Sequence, residues 1–525
     1  MASFLLIMGF VTFMMILTII ITRFCKRNRK PHYDLQVRDI SKGHRWVMMD
    51  MFTHPVYCNI SGAHIVEGAV CDSCGICVDD HNMKEANRTL HCKLLAERAD
   101  ILKHQWIKGN LPLCSRCVVC EEQCGLLPQI CDLKCCWCQR TVHDNCQKRL
   151  TELCDLGQYR DLIVPPNCVQ LKQVGWKGRR HLVVGSVREP PIKNWSPLVV
   201  IANRKSGNGD GEHILQAYRR LLNPAQVIDL HDLPPENALE WCRLVPNITC
   251  RVLVCGGDGT IGWVLNAIDK LGLNPAPYVS ILPLGTGNDL SRVLQWGEGY
   301  VHGEIDVEQI LDKLEMAKHV KLDRWKVEVT GHKRLGIGLP RRRKTVMMNN
   351  YSSIGVDARV TLNFHQHRES QPYLFGSRII NKLWYFTYGT KDIYERECKD
   401  LQKRIKLELD GVEVQMPEIE GIVVLNISSW AGGCQPWEIG LGPHGQQARY
   451  DDGLVEVMGL YSSFHVAQLH VGLAEPYRFG QAKTVKITLT KGKAPMQVDG
   501  EPWNQSAGEI MITRTGQANM LACDS

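Results

Sequence analysis

Three glycine-rich turns contain the residues best suited to chemistry. Each turn combines glycines, which let backbone N–H groups approach a ligand closely, with polar side chains. Such turns bind phosphate, because free N–H groups at the start of a following helix attract anionic oxygens. We therefore predict a nucleotide site formed by Asn203, Lys205, Ser206, Gly207, Gly256, Gly257, Gly259, Thr260, Gly285, Thr286, Gly287, Asn288 and Asp289.

Asp258 lies inside the second turn, whose sequence is GGDGT. A carboxylate there would repel phosphate by itself, but together with Mg²⁺ it can hold nucleotide oxygens through the metal or its water ligands. The hydroxyl of Thr260 adds a donor. The chain lacks the GxxxxGK[ST] motif of P-loop enzymes and the HRD and DFG motifs of protein kinases, which argues against those classes.

A short apolar run precedes each turn, and helix-like sequence follows it. The runs are PLVVIAN, RVLVCGG and YVSILPL. Alternation of buried strands with helices is typical of a parallel α/β domain. We therefore predict such a domain, with the three turns at the ends of consecutive strands.

Cysteines are concentrated near the amino terminus, where 17 of the 23 precede Pro190. From His104 the spacing is H-x12-C-x2-C-x14-C-x2-C-x4-H-x2-C-x7-C, which supplies eight ligands for two tetrahedral zinc ions. Each CxxC pair places two thiolates about 2.3 Å from one metal. The predicted ligands are His104, Cys117, Cys120, Cys135, Cys138, His143, Cys146 and Cys154.

This spacing resembles the protein-kinase-C-type zinc domain, the diacylglycerol and phorbol-ester family. The resemblance implies interleaved sites, with one zinc on His104, Cys135, Cys138 and Cys154 and the other on the remaining four ligands. An earlier copy is incomplete, because Ser61, Asp79 and Asn82 replace two cysteines and a histidine of the pattern. On the same plan this copy keeps one complete site, formed by His44, Cys71, Cys74 and Cys92.

The second site of the earlier copy retains only Cys58 and Asp79, with Cys77 or His81 as alternative ligands. We therefore predict one zinc in the first module and two in the second.

The chain begins with an apolar run. Residues 2–21 carry no charged side chain. As a helix, this run is long enough to cross a hydrocarbon core of roughly 30 Å. Five basic residues follow between Arg23 and Lys30, which predicts that the remainder faces the cytosol. We expect a membrane anchor, spanning or re-entrant, in the endoplasmic reticulum or plasma membrane. A cleaved signal peptide would need a basic region before the run and a small-residue cleavage site after it, and the sequence has neither.

The segments N-x-K-S-G, GGDGT and LGTGND together resemble the diacylglycerol kinase catalytic domain, although Arg204 replaces a proline found in many members. Further along, β-branched runs such as GIVVLNIS and TVKITLTK predict a sheet-rich domain. Its segments NNYSSIGVDARV, DDGLVEV and VDGEPW resemble the accessory domain of the same family. The order of membrane segment, zinc modules and kinase halves resembles one type within that family over essentially the whole chain.

The resemblance implies that Asp499 is the base that accepts the proton of the lipid hydroxyl. Glu501, two residues on, would share its face of a strand and support it. Taken alone, the Asp499-Gly500 pair is a common hairpin turn, and both interpretations stay open. The predicted catalytic residues are thus Asp258, Asp499 and Glu501.

The predicted fold is multidomain, with a membrane helix, two small zinc-binding domains, an α/β catalytic domain and a β-rich accessory domain. Composition, with 44% hydrophobic and 22% charged residues, excludes a mostly disordered or collagenous chain. The expected boundaries are membrane segment 1–22, basic linker 23–43, zinc domains 44–92 and 104–154, linker 155–195, catalytic domain 196–330 and accessory domain 345–516.

The resemblance implies an ATP-dependent kinase of diacylglycerol, with ATP, Mg²⁺ and Zn²⁺ as cofactors and a membrane lipid as substrate. Sphingosine, ceramide or monoacylglycerol are alternative substrates, and a membrane-tethered binding module with an inactive kinase fold is the alternative class. A net charge of +7 gives no argument for nucleic acid. Residues 341–344 could attract anionic lipid or be a solvated loop, and the aromatics at 384–388 could lie at an interface or in the core.

Overall fold

The computed structural model describes residues 33–176, 180–301, 303–331, 343–370, 398–442 and 445–524, together with Met14, Met15, Leu17 and Thr18. Most of the predicted membrane segment, residues 341–342 of the basic patch and the aromatics at 384–388 lie outside these ranges. Of the helices within the described ranges, none is both long and apolar enough to span a bilayer.

The two zinc modules are small β-structures. After β1 (Gln36–Val37), the first module contains β2 (Trp46–Met49), β3 (Val56–Tyr57), β4 (His64–Ile65), β5 (Gly68–Cys71), β6 (Cys77–Val78) and α1 (Met83–Thr89). The order β2–β5–β6 forms one antiparallel sheet, and β3 pairs with β4. The second module contains a sheet of β7 (Trp106–Lys108), β8 (Leu133–Cys135) and β9 (Thr141–Val142).

The structure differs from the linkers predicted on either side of these modules. Two antiparallel strands, β10 (Val169–Val174) and β11 (His181–Val187), lie within 155–195, and β1 from the basic linker pairs with β11. Residues 162–164 are at most 1% exposed and belong to the α/β core. The prolines that suggested a linker are compatible with order here, since Pro166 begins a 3-10 turn.

Four parallel strands form the expected α/β domain, in the order β13–β12–β14–β15. All residues of β12 are buried, as expected for a strand covered on both faces. The strands are β12 (Leu198–Ala202), β13 (Val227–Asp229), β14 (Arg251–Gly256) and β15 (Tyr278–Pro283). The helices are α2 (Asp210–Leu221), α3 (Pro235–Ala238), α4 (Glu240–Leu244), α5 (Asp258–Leu271), α6 (Asp289–Val293) and α7 (Val307–Met316).

The remaining strands confirm a sheet-rich second half. They are β16 (Lys318–Gly331), β17 (Arg343–Met348), β18 (Tyr351–Gly355), β19 (Ile405–Leu409), β20 (Val412–Glu413), β21 (Gly421–Leu425), β22 (Val455–Leu460), β23 (Tyr477–Ala482), β24 (Thr484–Val498) and β25 (Glu501–Ala522). Two helices accompany them, α8 (Val356–Ser370) and α9 (Ser463–His470).

One continuous sheet joins the two halves. Strand β25 lies parallel to β15 at Met520. It is antiparallel to the whole of β16 through residues 508–522, and β24 pairs with residues 501–513. Leu322 and Met520 lie in the α/β core, whereas Trp325 and Val327 of the same strand β16 lie in the accessory core. The predicted boundaries at 330 and 516 therefore cut through two paired strands, because long-range pairing leaves no local sequence signal.

Met520→Ala tests the return of β25 to the α/β core, where this side chain is fully buried. We expect the free energy of unfolding to fall by about 2–5 kcal/mol, from lost apolar burial and the cavity created. Chemical denaturation of the full chain measures the change. Glu509→Ala, at an exposed position of the same strand, should change it by less than about 0.5 kcal/mol. Equal effects would contradict this placement of the strand end.

Candidate active site and zinc sites

The first glycine-rich turn leads directly into α2. The side chain of Asn203 accepts the backbone N–H of Lys205 at 3.0 Å, and the N–H of Ser206 donates to the Asn203 carbonyl at 2.9 Å. Gly207 has a φ of 65°, which glycine adopts without steric cost. A side chain on Gly211, in the first turn of α2, would clash with the Asn203 carbonyl. The turn and the helix are therefore packed together as one unit.

Arg204, the departure from the family pattern, has a structural role in this turn. Its guanidinium binds the buried carboxylate of Asp229 at the end of β13, and Nη2 donates to Asp232 at 2.7 Å. The arginine thereby holds the turn against the neighbouring strand end.

The second and third turns contact each other through their glycines. A Cβ on Gly257 would lie 3.0 Å from the Cα of Gly285, and a Cβ on Gly285 would lie 2.6 Å from the Cα of Gly257. A Cβ on Gly256 would lie 2.7 Å from Thr260. Side chains on Gly257 or Gly285 would push the second and third turns apart, and a side chain on Gly256 would clash with Thr260 in α5. These glycines are therefore required for packing as well as for any approach to phosphate.

Asp258 links the second turn to the third. Its two carboxylate oxygens accept the backbone N–H groups of Asp289 and Leu290, each at 3.1 Å, where α6 begins. The side chain is half-buried at the start of α5. Each carboxylate oxygen has a second lone pair, so these bonds leave acceptor capacity for a cation.

Asp289 joins the third turn to the accessory half. Its carboxylate accepts the Ser429 hydroxyl at 2.6 Å and the backbone N–H groups of Gly432 and Gly433, each at 3.1 Å. Burial, followed by the negative charge of Asp258, raises the pKa of Asp289 to about 6. The two carboxylates are therefore close enough to repel each other.

Asp499 occupies the hairpin turn between β24 and β25, with a φ of 48° followed by 82° at Gly500. The carboxylate accepts the backbone N–H groups of Asn349, Asn350 and Tyr351 at 2.7, 2.9 and 3.0 Å, and the Asn349 amide at 3.1 Å. Burial raises the pKa of Asp499 to about 6, and the charge of Asp258 adds to the increase. The turn interpretation and a half-buried acid near Asp258 are thus compatible.

Glu501 does not share a strand face with Asp499. The turn separates the two residues, since Val498 pairs with Glu501 across the hairpin. Glu501 is exposed at the start of β25. The structure therefore brings Asp258, Asp289 and Asp499 together and leaves Glu501 at the surface.

Several buried polar atoms around these carboxylates lack a hydrogen-bond partner among the described residues: Oδ1 of Asn288, Asn349 and Asn350, and Nε and Nη1 of Arg324. Arg324 is 2% exposed, donates from Nη2 to Asn266 at 2.6 Å and interacts with the charge of Asp499. Buried polar groups normally have partners. Their concentration here indicates a place for a polar ligand or water.

Sequence reasoning missed Arg324, Asn349, Ser429, Gly432 and Gly433. Asn349 lies in the NNYSSIG segment, which indicated the accessory domain but no site residue. The glycine pair in a β-rich stretch was a signal for close backbone approach. Arg324 left no such signal.

The carboxylate set suits Mg²⁺, which prefers oxygen ligands. Asp258 and Asp289 are the residues that would hold it, and a cation would offset the repulsion that raises the pKa of Asp289. The three glycine turns end at the same sheet edge, since Ala202 pairs with Cys255 and Gly256 with Pro283. Nucleotide phosphates would fit against these turns.

Three groups of cysteine and histidine have metal-site geometry. In each group all four ligand atoms lie within 4.8 Å of one another. Sulfur separations of 3.7, 4.0 and 3.9 Å for Cys71–Cys92, Cys135–Cys154 and Cys120–Cys146 compare with about 3.8 Å expected around tetrahedral zinc. The groups are His44, Cys71, Cys74 and Cys92; His104, Cys135, Cys138 and Cys154; and Cys117, Cys120, His143 and Cys146.

The incomplete site of the first module is filled by a different contact. Asn82 donates its amide to Asp79 at 2.7 Å and approaches the Cys58 sulfur at 3.7 Å. Cys77 is directed to the Gly75 carbonyl at 3.4 Å, and His81 is exposed. An amide therefore stands where a metal ligand would be needed.

Two family models match the chain. Residues 197–322 match the diacylglycerol kinase catalytic domain, and residues 347–502 match the diacylglycerol kinase accessory domain. Together they cover more than half of the sequence. The chain therefore belongs to the diacylglycerol kinase family.

Individual relatives carry the same family name. The chain is 35% identical over 531 residues to "Probable diacylglycerol kinase 3" of Caenorhabditis elegans, covering 93% of this chain and 65% of that protein. It is 35% identical over 469 residues to human "Diacylglycerol kinase iota", covering 81% of this chain and 43% of that protein. The chain thus spans less than two thirds of the length of these relatives.

Two solved structures are more distant. A diacylglycerol kinase from Bacillus anthracis is 16% identical with a TM-score of 0.36, covering 62% of this chain and 96% of that chain. Yeast NADH kinase is 12% identical with a TM-score of 0.34, covering 67% of this chain and 89% of that chain.

The ligand geometry predicts three zinc ions per chain. Metal analysis of the folded protein should give three, and Cys71→Ser and Cys117→Ser should each lose one because a tetrahedral shell is broken. Cys58→Ser is the control and should keep all three, since Cys58 belongs to the site that Asn82 fills. Two or fewer zinc ions in the folded wild type, or loss of one from Cys58→Ser, would contradict this assignment.

Proposed function

We propose that this chain is an ATP-dependent diacylglycerol kinase that phosphorylates the 3-hydroxyl of 1,2-diacylglycerol, yielding phosphatidic acid and ADP. Membership of the family supports the proposal. The observation that carries it is the convergence of Asp258, Asp289 and Asp499 beside three glycine-rich turns. One half of the protein contributes the turns and two carboxylates, and the other contributes the third.

The turns at Asn203, Gly256 and Gly285 orient the nucleotide phosphates by backbone N–H groups. Asp258 and Asp289 would hold the cation, whose charge would stabilise the phosphoryl group during transfer. Bonds from Ser429, Gly432 and Gly433 fix the position of Asp289. The accessory half therefore contributes directly to the geometry of the nucleotide site.

Asp499 acts as the base. At neutral pH the Asp499 carboxyl, with a pKa of about 6, is ionised yet more basic than an ordinary aspartate. Four hydrogen bonds fix its orientation and occupy both oxygens. The lipid hydroxyl would take the place of the Asn349 side-chain amide, whose bond of 3.1 Å is the longest of the four. The lipid oxygen forms a bond to the γ-phosphorus as the bond between that phosphorus and the β,γ-bridging oxygen breaks. ADP leaves with the electron pair of the broken bond. The hydroxyl proton passes to Asp499.

We further propose that the chain is of the epsilon type. The order of an apolar segment, two zinc modules and the two kinase halves supports this, as does the uncharged run at residues 2–21 followed by basic residues. The chain would be anchored in the endoplasmic reticulum or plasma membrane with its kinase half facing the cytosol, near its lipid substrate and anionic lipids.

Asp258→Ala tests the proposed reaction. Full chain in mixed micelles is given labelled Mg–ATP and a panel of diacylglycerol, monoacylglycerol, ceramide and sphingosine. We expect labelled phosphatidic acid from the wild type and at least about a 100-fold loss in Asp258→Ala, because a charge-stabilising contact is removed. Glu304→Ala removes an exposed carboxylate of the same domain and should retain activity.

Transfer to sphingosine or ceramide instead would overturn the substrate assignment. Absence of transfer to every lipid by a folded, zinc-loaded chain would favour a binding module with an inactive kinase fold.

The pH dependence tests the base. A raised carboxyl pKa means that the protonated form, which cannot accept a proton, accumulates as pH falls through about 6. We therefore expect kcat to decline below about pH 6 and to be level from pH 7 to 8, measured with saturating ATP and lipid. Asp499→Asn should be inactive. Near-UV circular dichroism over the same pH range controls for unfolding. A kcat that does not change from pH 5 to 8 would contradict the assignment of Asp499 as the base.

A further inference from the structure

The carboxyl-terminal end of α2 is held by the first zinc module. The last carbonyls of a helix have no intrahelical partners. Here the ammonium of Lys93 donates to the carbonyls of Arg219, Arg220 and Leu222 at 3.4, 2.7 and 2.8 Å. Lys93 is 0% exposed, and its charge favours the negative end of the helix dipole. It directly follows Cys92, a ligand of the first zinc site.

The second module contacts the same helix end. The Trp137 ring lies 4.4 Å from the Lys93 ammonium, and the Gln139 amide donates to the Arg220 carbonyl at 3.1 Å. Trp137 and Gln139 flank Cys138, which belongs to the His104 ligand group of the second module. Both modules therefore meet at one point on α2.

A buried ion pair adds a lateral contact. Arg219 Nη1 lies 2.8 Å from the Asp72 carboxylate, and the two side chains are 4% and 0% exposed. Arg45 Nε reaches the same carboxylate at 2.9 Å. Asp72 directly follows Cys71. Removing one member of such a pair would leave an uncompensated buried charge, so the contact requires both residues.

The other end of α2 is the first glycine-rich turn. The helix has 12 residues, so its ends lie about 18 Å apart. Gly211 packs against the Asn203 carbonyl, and a Cβ on Gly207 would lie 3.2 Å from the Asp210 carboxylate. The helix and the turn are in close contact, so a shift of the helix would move the turn with it.

We propose that Lys93 is a positioning residue for the nucleotide turn, through which the docked zinc modules set the position of α2 and of the phosphate-facing backbone at its other end. The inference rests on the proposed function insofar as the turn binds ATP. Lys93 touches neither the turn nor the carboxylates of the site. Its loss should therefore weaken nucleotide binding and leave turnover at saturating ATP nearly unchanged.

Lys93→Met in the full chain tests this proposal, because methionine keeps the apolar stem and removes the ammonium. We expect the Kd for Mg–ATP, measured by calorimetry, and the KM for ATP to rise about fivefold to tenfold, with kcat within twofold. Hydrogen exchange at residues 203–211 should become faster, with zinc content unchanged. Lys103→Met is the matched control, since Lys103 is exposed in the second module and pairs with Glu152; it should change none of these values.

Gln139→Ala provides the answer if Lys93→Met fails to fold or loses zinc. This variant removes one amide contact to Arg220 and leaves no buried charge unpaired, and its Kd for Mg–ATP should rise at least twofold. The positioning role would be overturned by unchanged ATP affinity and unchanged hydrogen exchange in folded, zinc-loaded Lys93→Met, or in Gln139→Ala where Lys93→Met does not fold. This holds even if lipid phosphorylation is observed. Wild type that binds Mg–ATP without phosphorylating any lipid would instead overturn the proposed function, while the binding and exchange data still decide the role of Lys93.

Discussion

Backbone N–H groups hold every carboxylate of the site, and the rest of the arrangement depends on these bonds. Burying a carboxylate is costly unless it is hydrogen-bonded. Asp258 receives two N–H groups from the start of α6, Asp289 receives those of Gly432 and Gly433, and Asp499 receives three from the residues where β18 begins. The donors are main-chain groups of a helix start, of loops and of a strand start, so the backbone fold itself fixes the acids. Strand β25 joins both halves of the continuous sheet and begins at Glu501, after the turn that contains Asp499 and Gly500.

The local motifs of the site could be predicted from sequence, whereas its connections could not. Glycine turns after apolar runs predicted the three strand ends and the position of Asp258, because chain order and backbone geometry are local properties. The bonds from Ser429 to Asp289 and from Asn349 to Asp499 join residues 140 and 150 positions apart. No periodicity in the sequence records such pairings. The same limit applies to the domain boundaries: a change of residue pattern predicts them near residues 330 and 516, yet β16 and β25 continue through both positions as paired strands.

The candidate metal ligands are a contrasting case, since spacing predicted the ligands and the resemblance to the protein-kinase-C-type zinc domain implied the groups that the fold brings together. A CxxC turn presents two thiolates at once, so the register of the chain almost determines the geometry. Both modules also place a tryptophan two residues after the first histidine, with ring centroids 4.9 Å apart for His44–Trp46 and 4.7 Å for His104–Trp106. What spacing could not show is the Asn82 amide that completes the polar contacts where the fourth site is missing.

The surviving site of the first module has a structural significance that its ligands alone do not reveal. Cys71 and Cys92 belong to it, and the residues that follow them, Asp72 and Lys93, both contact the end of α2. Cys58, Asp79 and Asn82, which occupy the position of the lost site, bond with one another instead. A module can therefore lose that half of its metal shell without disturbing the contact to the kinase half, because the ligands that orient this contact lie on the other site. In this arrangement the first module acts as a fixed support for α2, whether or not it also binds lipid.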